Sequence, residues 1–351
     1  MKNFSIIFFI TLGFFLILNI LIVFTWPIYS KFKSDNHNYS IEQKKLLNLS
    51  DDNLIILKNE TWKNYDKFSF KPFIGHTETN RKGKFVNFSE QNGRKINRPS
   101  QCVRNVHLYG GSTTFGYNVT DDQTIGQQLQ NLFDDKTCVF NHGRAYFYSK
   151  QENNLFINHL ENQKKIDYAI FLDGVNERCG GYVYDSYLNQ SFNLLTEKPY
   201  KMWKEGFKNF LLTLPLTQFI NSIFGSSRFV NNDLSVLKID SCNSKIELSK
   251  LFKERLLVRK GICENNNIDC HTFLQPMPGV HGIQIEKLLS KKGQIDFQKK
   301  YKLLSEVKGL IDLGYIFNKE EILSYIDDVH YSPRSNYLIA SAIFQIIENN
   351  E

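Results

Sequence analysis

Four short apolar runs, each closed by a turn-forming residue and separated by stretches of helical spacing, constrain the fold more than any other feature. Val103–Tyr109 reads as a strand that stops at Gly110-Gly111, after which Ile125, Leu129, Leu132 and Phe133 recur at helical spacing. Cys138–Phe140 is a second short strand, closed by Asn141-His142-Gly143, and Glu152–Asn162 reads as a helix. Tyr168–Leu172 is a compact buried strand ending at Asp173-Gly174, and Ile268–Leu274 repeats the pattern and stops at Gln275-Pro276. The last helix has a clear start, with Ser332 as cap and Pro333 at its first position. It is expected to bury Tyr337, Leu338, Ala340, Ala342, Ile343 and Ile346. This alternation indicates an α/β fold, a doubly wound parallel sheet in three layers with helices on both faces. In such sheets functional residues lie at the carboxyl ends of the strands, which selects the loops beginning at Gly110, Asn141, Asp173 and Gln275.

The rest of the 351-residue chain is organised around this block. From Phe4 to Trp26 the sequence is apolar and uncharged. A helix of about 23 residues rises roughly 34 Å, enough to cross a bilayer core. Trp26 and Tyr29, then Lys31 and Lys33, follow at interface depth. A cleaved signal peptide is the rival, but its apolar part is only about 7–15 residues and ends in a small-residue site. Trp26-Pro27-Ile28-Tyr29 is no such site, so residues 1–30 are expected to be a transmembrane anchor. Lys2 at one end and Lys31 and Lys33 at the other nearly cancel as orientation signals. Residues 31–59 are polar apart from Leu54–Leu57 and read as a stalk, with 60–351 as the main domain. Within it, 182–230 breaks the alternation with Trp203, Phe207, Phe210 and Phe219, and reads as a helical insertion or cap.

Six cysteines, an even count with no CxxC pair, fit disulfides in an oxidising compartment better than a zinc site. Cys263 and Cys270 are close enough to pair; buried free thiols are the alternative. The main domain is therefore expected on the extracytoplasmic side. The net charge of +7 lies between Lys58 and Arg104, where eleven Lys or Arg face four acidic residues. That segment is either a solvated basic surface or a contact for anionic headgroups or an acidic glycan. No nucleic-acid motif accompanies it. Asn-x-Ser/Thr sequons at Asn87, Asn118 and Asn189 are expected by chance from the richness in Asn.

Ser112 follows two glycines at a strand end, where residues without side chains permit a sharp turn that presents its hydroxyl. The helix expected next would direct its N-terminal dipole at that hydroxyl. The Lys of a P-loop and the GxGxxG spacing of a dinucleotide site are missing. A serine nucleophile needs a base and the base an orienting group. His330, of eight histidines, lies just before the last helix with Asp327 three residues earlier. A tight turn would let that carboxylate reach Nδ1 while Nε2 faces the crevice. Donors for an oxyanion would be the Ser112 and Gly143 N–H groups and the Asn176 side chain, the last two just past other strand ends.

Taken in order, these pieces resemble the blocks of the SGNH/GDSL hydrolases. Gly110-Gly111-Ser112-Thr113-Thr114-Phe115-Gly116 is similar to the nucleophile block, and Asn141-His142-Gly143 to the second. Gly174-Val175-Asn176-Glu177 is similar to the third and Asp327-Asp328-Val329-His330 to the final DxxH block. The resemblance spans roughly 103–347 and implies a flavodoxin-like sheet, Ser112, Asp327 and His330 as triad, and two-step acyl transfer without metal or cofactor. Two positions depart from the pattern: Gly111 and Glu177 stand where the family has Asp. The implied substrate is a small ester or an O-acylated cell-surface glycan. A polysaccharide O-acetyltransferase with the same triad, or a catalytically silent glycan-binding protein, are the alternatives.

Overall fold

The computed structural model describes residues 2–34, 39–62, 68–178, 248–284, 289–318 and 323–349, together with Leu214 and Leu216. The expected insertion over 182–230, the sequon at Asn189 and the cysteines Cys179 and Cys242 lie outside these residues. The chain divides into two compact units. One comprises Met1–Asn38 and Gly180–Ser241, the other Tyr39–Cys179 and Cys242–Glu351.

In the first unit, α1 (Lys2–Ser34) is continuous helix. Its described apolar side chains are mostly exposed, Phe9 at 67 % and Phe24 at 71 % among them. Among the described residues no helix is long and apolar enough to cross a membrane, so the expected anchor is not supported there.

The second unit is built on a seven-stranded sheet. Its strands are β3 (Phe88–Ser89), β4 (Gly93–Arg94), β5 (Arg104–Gly110), β6 (Thr137–Asn141), β7 (Tyr168–Asp173), β8 (Asp269–Leu274) and β9 (Ile311–Asp312), in spatial order β3-β4-β6-β5-β7-β8-β9. β6-β5-β7-β8-β9 are all parallel, with Val106 opposite Val139 and Leu108 opposite Ile170. Numbered from β5, that is the 2-1-3-4-5 order of doubly wound sheets, with the switch point between β5 and β7. The sheet is mixed rather than wholly parallel, because β3 and β4 add antiparallel at the β6 edge. A separate hairpin pairs β1 (Phe68–Lys71) with β2 (Gly75–Glu78).

Strand side chains alternate between two helical layers, as a pleated sheet requires. Val106, Leu108, Ile170 and Leu172 pack with Ile125 and Leu129 of α5 (Ile125–Gln130) and with Ile339 and Ile343 of the C-terminal helix. Tyr109, Ala169 and Phe171 face the other way, onto Leu155 and Phe156 of α6 (Ser149–Glu161) and Cys263 of α7 (Leu248–Asn266). α8 (Lys291–Ser305) buries Leu304 in a smaller cluster with Phe252 of α7 and with Leu274 and Met277. In α9 (Pro333–Glu348) the buried stripe is Asn336, Ile339, Ala340, Ile343 and Ile347. Of the residues expected to be buried, Ala340, Ala342 and Ile343 are, Leu338 and Ile346 are partly so, and Tyr337 is exposed.

From residue 39 on, the expected stalk is folded. Ser40 and Gln43 close a reciprocal capping box on α2 (Ile41–Leu47), and α3 (Asp51–Trp62) follows. Leu47, Leu54 and Leu57 are buried with Val86, Phe88, Phe115, Tyr117, Val119 and Ile326. One member of the basic segment is structural as well. Arg94 is buried, binds Asp121 at 2.6 Å and donates to the Gly116 and Val119 carbonyls. Disulfides join Cys102 to Cys138 and Cys263 to Cys270, the second being the pairing that the sequence spacing allows.

Candidate active site

Ser112 stands directly after β5, beside the β5/β7 switch point. Its backbone begins α4 (Ser112–Phe115), a single turn that stops at Gly116 with φ +87°. The helix expected to follow Ser112 is here a single turn with little dipole, and the apolar helical spacing belongs to the later α5. The flanking glycines are sterically required. A Cβ on Gly110 would lie 2.0 Å from Thr114 Oγ1, and one on Gly111 2.3 Å from Asn176 Nδ2. The departure from Asp at position 111 therefore has a local cause: the Asn176 amide occupies the space.

Across the sheet end, Tyr325 and Tyr331 bridge and the Ile326 N–H donates to the His330 carbonyl at 2.8 Å, closing a tight loop. The loop turns the Asp327 carboxylate inward. Its Oδ1 accepts the N–H groups of Val329 at 2.9 Å and His330 at 2.6 Å. Its Oδ2 is 2.6 Å from His330 Nδ1. His330 Nε2 is in turn 2.9 Å from Ser112 Oγ. A carboxylate only accepts, so Nδ1 carries the proton and Nε2 presents its lone pair to the serine hydroxyl. Burial pushes the Asp327 carboxyl up, but the His330 charge, its hydrogen bond and the two backbone donors outweigh this and hold it below the ordinary value. The structure thus brings Ser112, His330 and Asp327 together in one hydrogen-bonded line.

The oxyanion donors are nearby but differently occupied. Asn176 Nδ2 donates to the Phe147 carbonyl at 3.0 Å, which leaves its second proton. The Gly143 N–H, expected to face the crevice, donates to Asn141 Oδ1 at 3.0 Å. Asn141 Nδ2 holds the Thr114 carbonyl at 2.7 Å, so the residue joins the second loop to the nucleophile turn. A Cβ on Gly143 would lie 2.3 Å from the Phe115 nitrogen, which fixes glycine there.

Sequence reasoning missed several supports. Gln275 Oε1 accepts Thr113 Oγ1 at 2.7 Å and lies 3.1 Å from the Tyr331 hydroxyl, tying the turn after Ser112 to the residue after His330. Tyr117 stacks on His330 at 5.4 Å, with Trp62 edge-on at 6.0 Å. Asn118 Nδ2 donates to Asp327 Oδ2 at 2.6 Å, and Trp62 Nε1 donates to Asn118 Oδ1 at 2.5 Å. The sequon at Asn118 is therefore spent inside the protein, and the Asn87 amide is likewise bound to Asp121. Glu177, where the family has Asp, accepts the Ser149 N–H and hydroxyl, both at 2.8 Å, and Arg255 at 3.1 Å. Its longer side chain anchors the Asn176 loop to the start of α6.

Among the described residues one group has metal-ligand spacing: buried His107, His142 and His159 bring ring nitrogens within 4.8 Å of one another. Hydrogen bonds account for most of them. His107 Nε2 reaches the Lys165 carbonyl at 3.2 Å, His107 Nδ1 faces His142 Nε2 at 3.0 Å, and His159 Nδ1 faces the Tyr109 hydroxyl at 2.9 Å. Burial first, then the Lys164 charge, push His107 down to about 3 and His159 to about 2. The charged neighbours that act on this cluster, Lys164, Arg98 and Arg144, are all cationic. A divalent cation would meet that same repulsion, so the cluster fits a neutral packed network better than a metal site.

No family model and no curated protein matches the sequence. Solved structures that it is similar to are GDSL-class lipases, acylhydrolases and carbohydrate acetylesterases. Est24, a carbohydrate acetylesterase from Sinorhizobium meliloti, is 11 % identical, with 71 % of this chain and 100 % of that one covered at a TM-score of 0.41. A GDSL-like lipase from Bacteroides thetaiotaomicron is 10 % identical, covering 71 % and 89 % at 0.39. The acetyl xylan esterase AlAXEase is 15 % identical, covering 69 % and 99 % at 0.34.

Proposed function

We propose that this chain is a serine ester hydrolase of the SGNH/GDSL type that deacylates an O-acylated glycan. The observation that carries this reading is the continuous hydrogen-bonded line Ser112–His330–Asp327 at a sheet switch point. In the first step His330 Nε2 takes the Ser112 proton as Oγ bonds to the ester carbonyl carbon, and Asp327 stabilises the imidazolium. The carbonyl electrons pass to oxygen, which takes hydrogen bonds from the Ser112 N–H and the second Asn176 amide proton. The Gly143 N–H joins them by turning from Asn141. Collapse breaks the ester C–O bond, His330 protonates the departing alcohol, and water then attacks the acyl-serine by the reverse sequence. Trp62, 36 % exposed beside His330, offers the kind of amphipathic aromatic face on which a sugar ring can rest.

We propose a setting as well, on two further features. Exposed apolar side chains along α1 and two disulfides support a membrane-anchored protein with its catalytic unit outside the cytoplasm.

Purified full-length protein in detergent should hydrolyse an activated acetyl ester, and Ser112→Ala should lower kcat by about 10⁴-fold or more. Turnover that survives this substitution would remove the triad reading. Acetylated glycan should be deacetylated by the parent and not by the variant. Acetyl transfer to an added glycan in place of hydrolysis would make the protein a transferase.

A further inference from the structure

We infer that Trp62 and Asn118 are positioning residues that lock the orientation of the Asp327 carboxylate; the inference rests on the triad reading above. The lock follows from donor and acceptor types. An indole N–H can only donate and a carboxylate can only accept, so the amide between them has one satisfactory orientation. Asn118 Oδ1 takes the Trp62 proton at 2.5 Å, which turns Nδ2 onto Asp327 Oδ2 at 2.6 Å. That is the oxygen used by His330 Nδ1, also at 2.6 Å. Two backbone donors hold the other oxygen, so the carboxylate cannot rotate without losing a bond.

The backbone is arranged for this. Asn118 has φ +62°, a left-handed conformation that Asn and Asp tolerate better than other side chains. It is 4 % exposed, so its amide has little access to alternative solvent partners. Trp62 stands at the end of α3, and its ring packs on Tyr117 at 5.2 Å as well as on His330. From α2, Gln43 Nε2 binds the Ile326 carbonyl at 2.6 Å, next to Asp327. The N-terminal helices thereby complete the surroundings of the acid–base pair.

Two substitutions separate positioning from folding. Trp62→Phe keeps an aromatic ring on His330 and Tyr117 but removes the indole proton, freeing the amide to flip. Asn118→Asp keeps size and backbone tolerance but sets an acceptor against Asp327. In full-length protein, kcat per active site, counted by a serine-reactive phosphonate, should fall about 10-fold in the first and about 100-fold in the second. KM should change little. The acid limb of the kcat/KM profile should move to higher pH in Asn118→Asp, where two facing carboxylates share a proton. A merely structural role would lower the melting temperature or the fraction of active sites and leave kcat per site and the profile unmoved. That result in Trp62→Phe would overturn the inference even if Asn118→Asp does not fold. Loss of activity in Ser112→Ala together with unchanged Trp62→Phe and Asn118→Asp would reject the lock alone. Activity in Ser112→Ala would reject the triad, and the lock with it.

Discussion

The Glu177 side chain is sealed from water one residue beyond Asn176, and its carboxyl is pushed up to about 7 from 4.5. Burial is the main cause and the Asp173 charge adds to it, against the Ser149 donors and Arg255. A carboxyl that binds its proton more tightly when folded contributes stability in full below the unfolded value and loses it as pH rises through the folded one. Between pH about 4.5 and about 7 this group should therefore cost the fold about 3 kcal/mol. Urea midpoints across that range should decline in the parent and decline less in Glu177→Gln. A parent midpoint that rises through the window would contradict the account. The grouping of Ser112, Asp327 and His330 was legible because Ser112 follows a strand end and the three-residue spacing of Asp327 and His330 fits one tight loop. Asn118 was not, because its partner is 209 positions away and its only visible signal, a sequon, pointed to the surface. Glu177 was visible only as a departure from a pattern, since Ser149 and Arg255 carry no mark in the sequence.

At the scale of elements, α2 and α3 change most between sequence and structure. Two short helices among polar residues give too little periodicity to stand out, although Ser40 and Gln43 already form the capping-box pattern. Their leucines enter the same cluster as Phe115 and Tyr117, beside the nucleophile turn. Leu57→Ala should cost about 2–4 kcal/mol by chemical denaturation, as for other fully buried leucines. An unchanged denaturation midpoint would show that α3 does not pack there. The two-residue strands β3 and β4 escaped for a related reason: two residues are too few for an alternation. The parallel strands were readable because both faces are covered, which makes each one a dense apolar run.

For the second unit as a whole, the parallel strands followed from the alternation, whereas their spatial order is seen only in the structure. The mixed edge and the Cys102–Cys138 disulfide were not legible, because both join segments remote in sequence. Cys102 and Cys138 close a loop with a separation of 36, Cys263 and Cys270 one of 7. Chain-entropy reasoning gives about 4 and about 2 kcal/mol for their removal. The double serine variant of the first pair should thus lower the urea midpoint more than that of the second; the reverse order would contradict this.

The central claim is that Ser112 carries the acyl group, and rapid-quench mass spectrometry of the peptide bearing it is the most direct test. With an activated acetyl ester, one acetyl group should appear on Ser112 within the first turnover, and none in Ser112→Ala. Hydrolysis that proceeds with no acetyl on Ser112, or an acetyl group that turns over from another residue, would contradict the account.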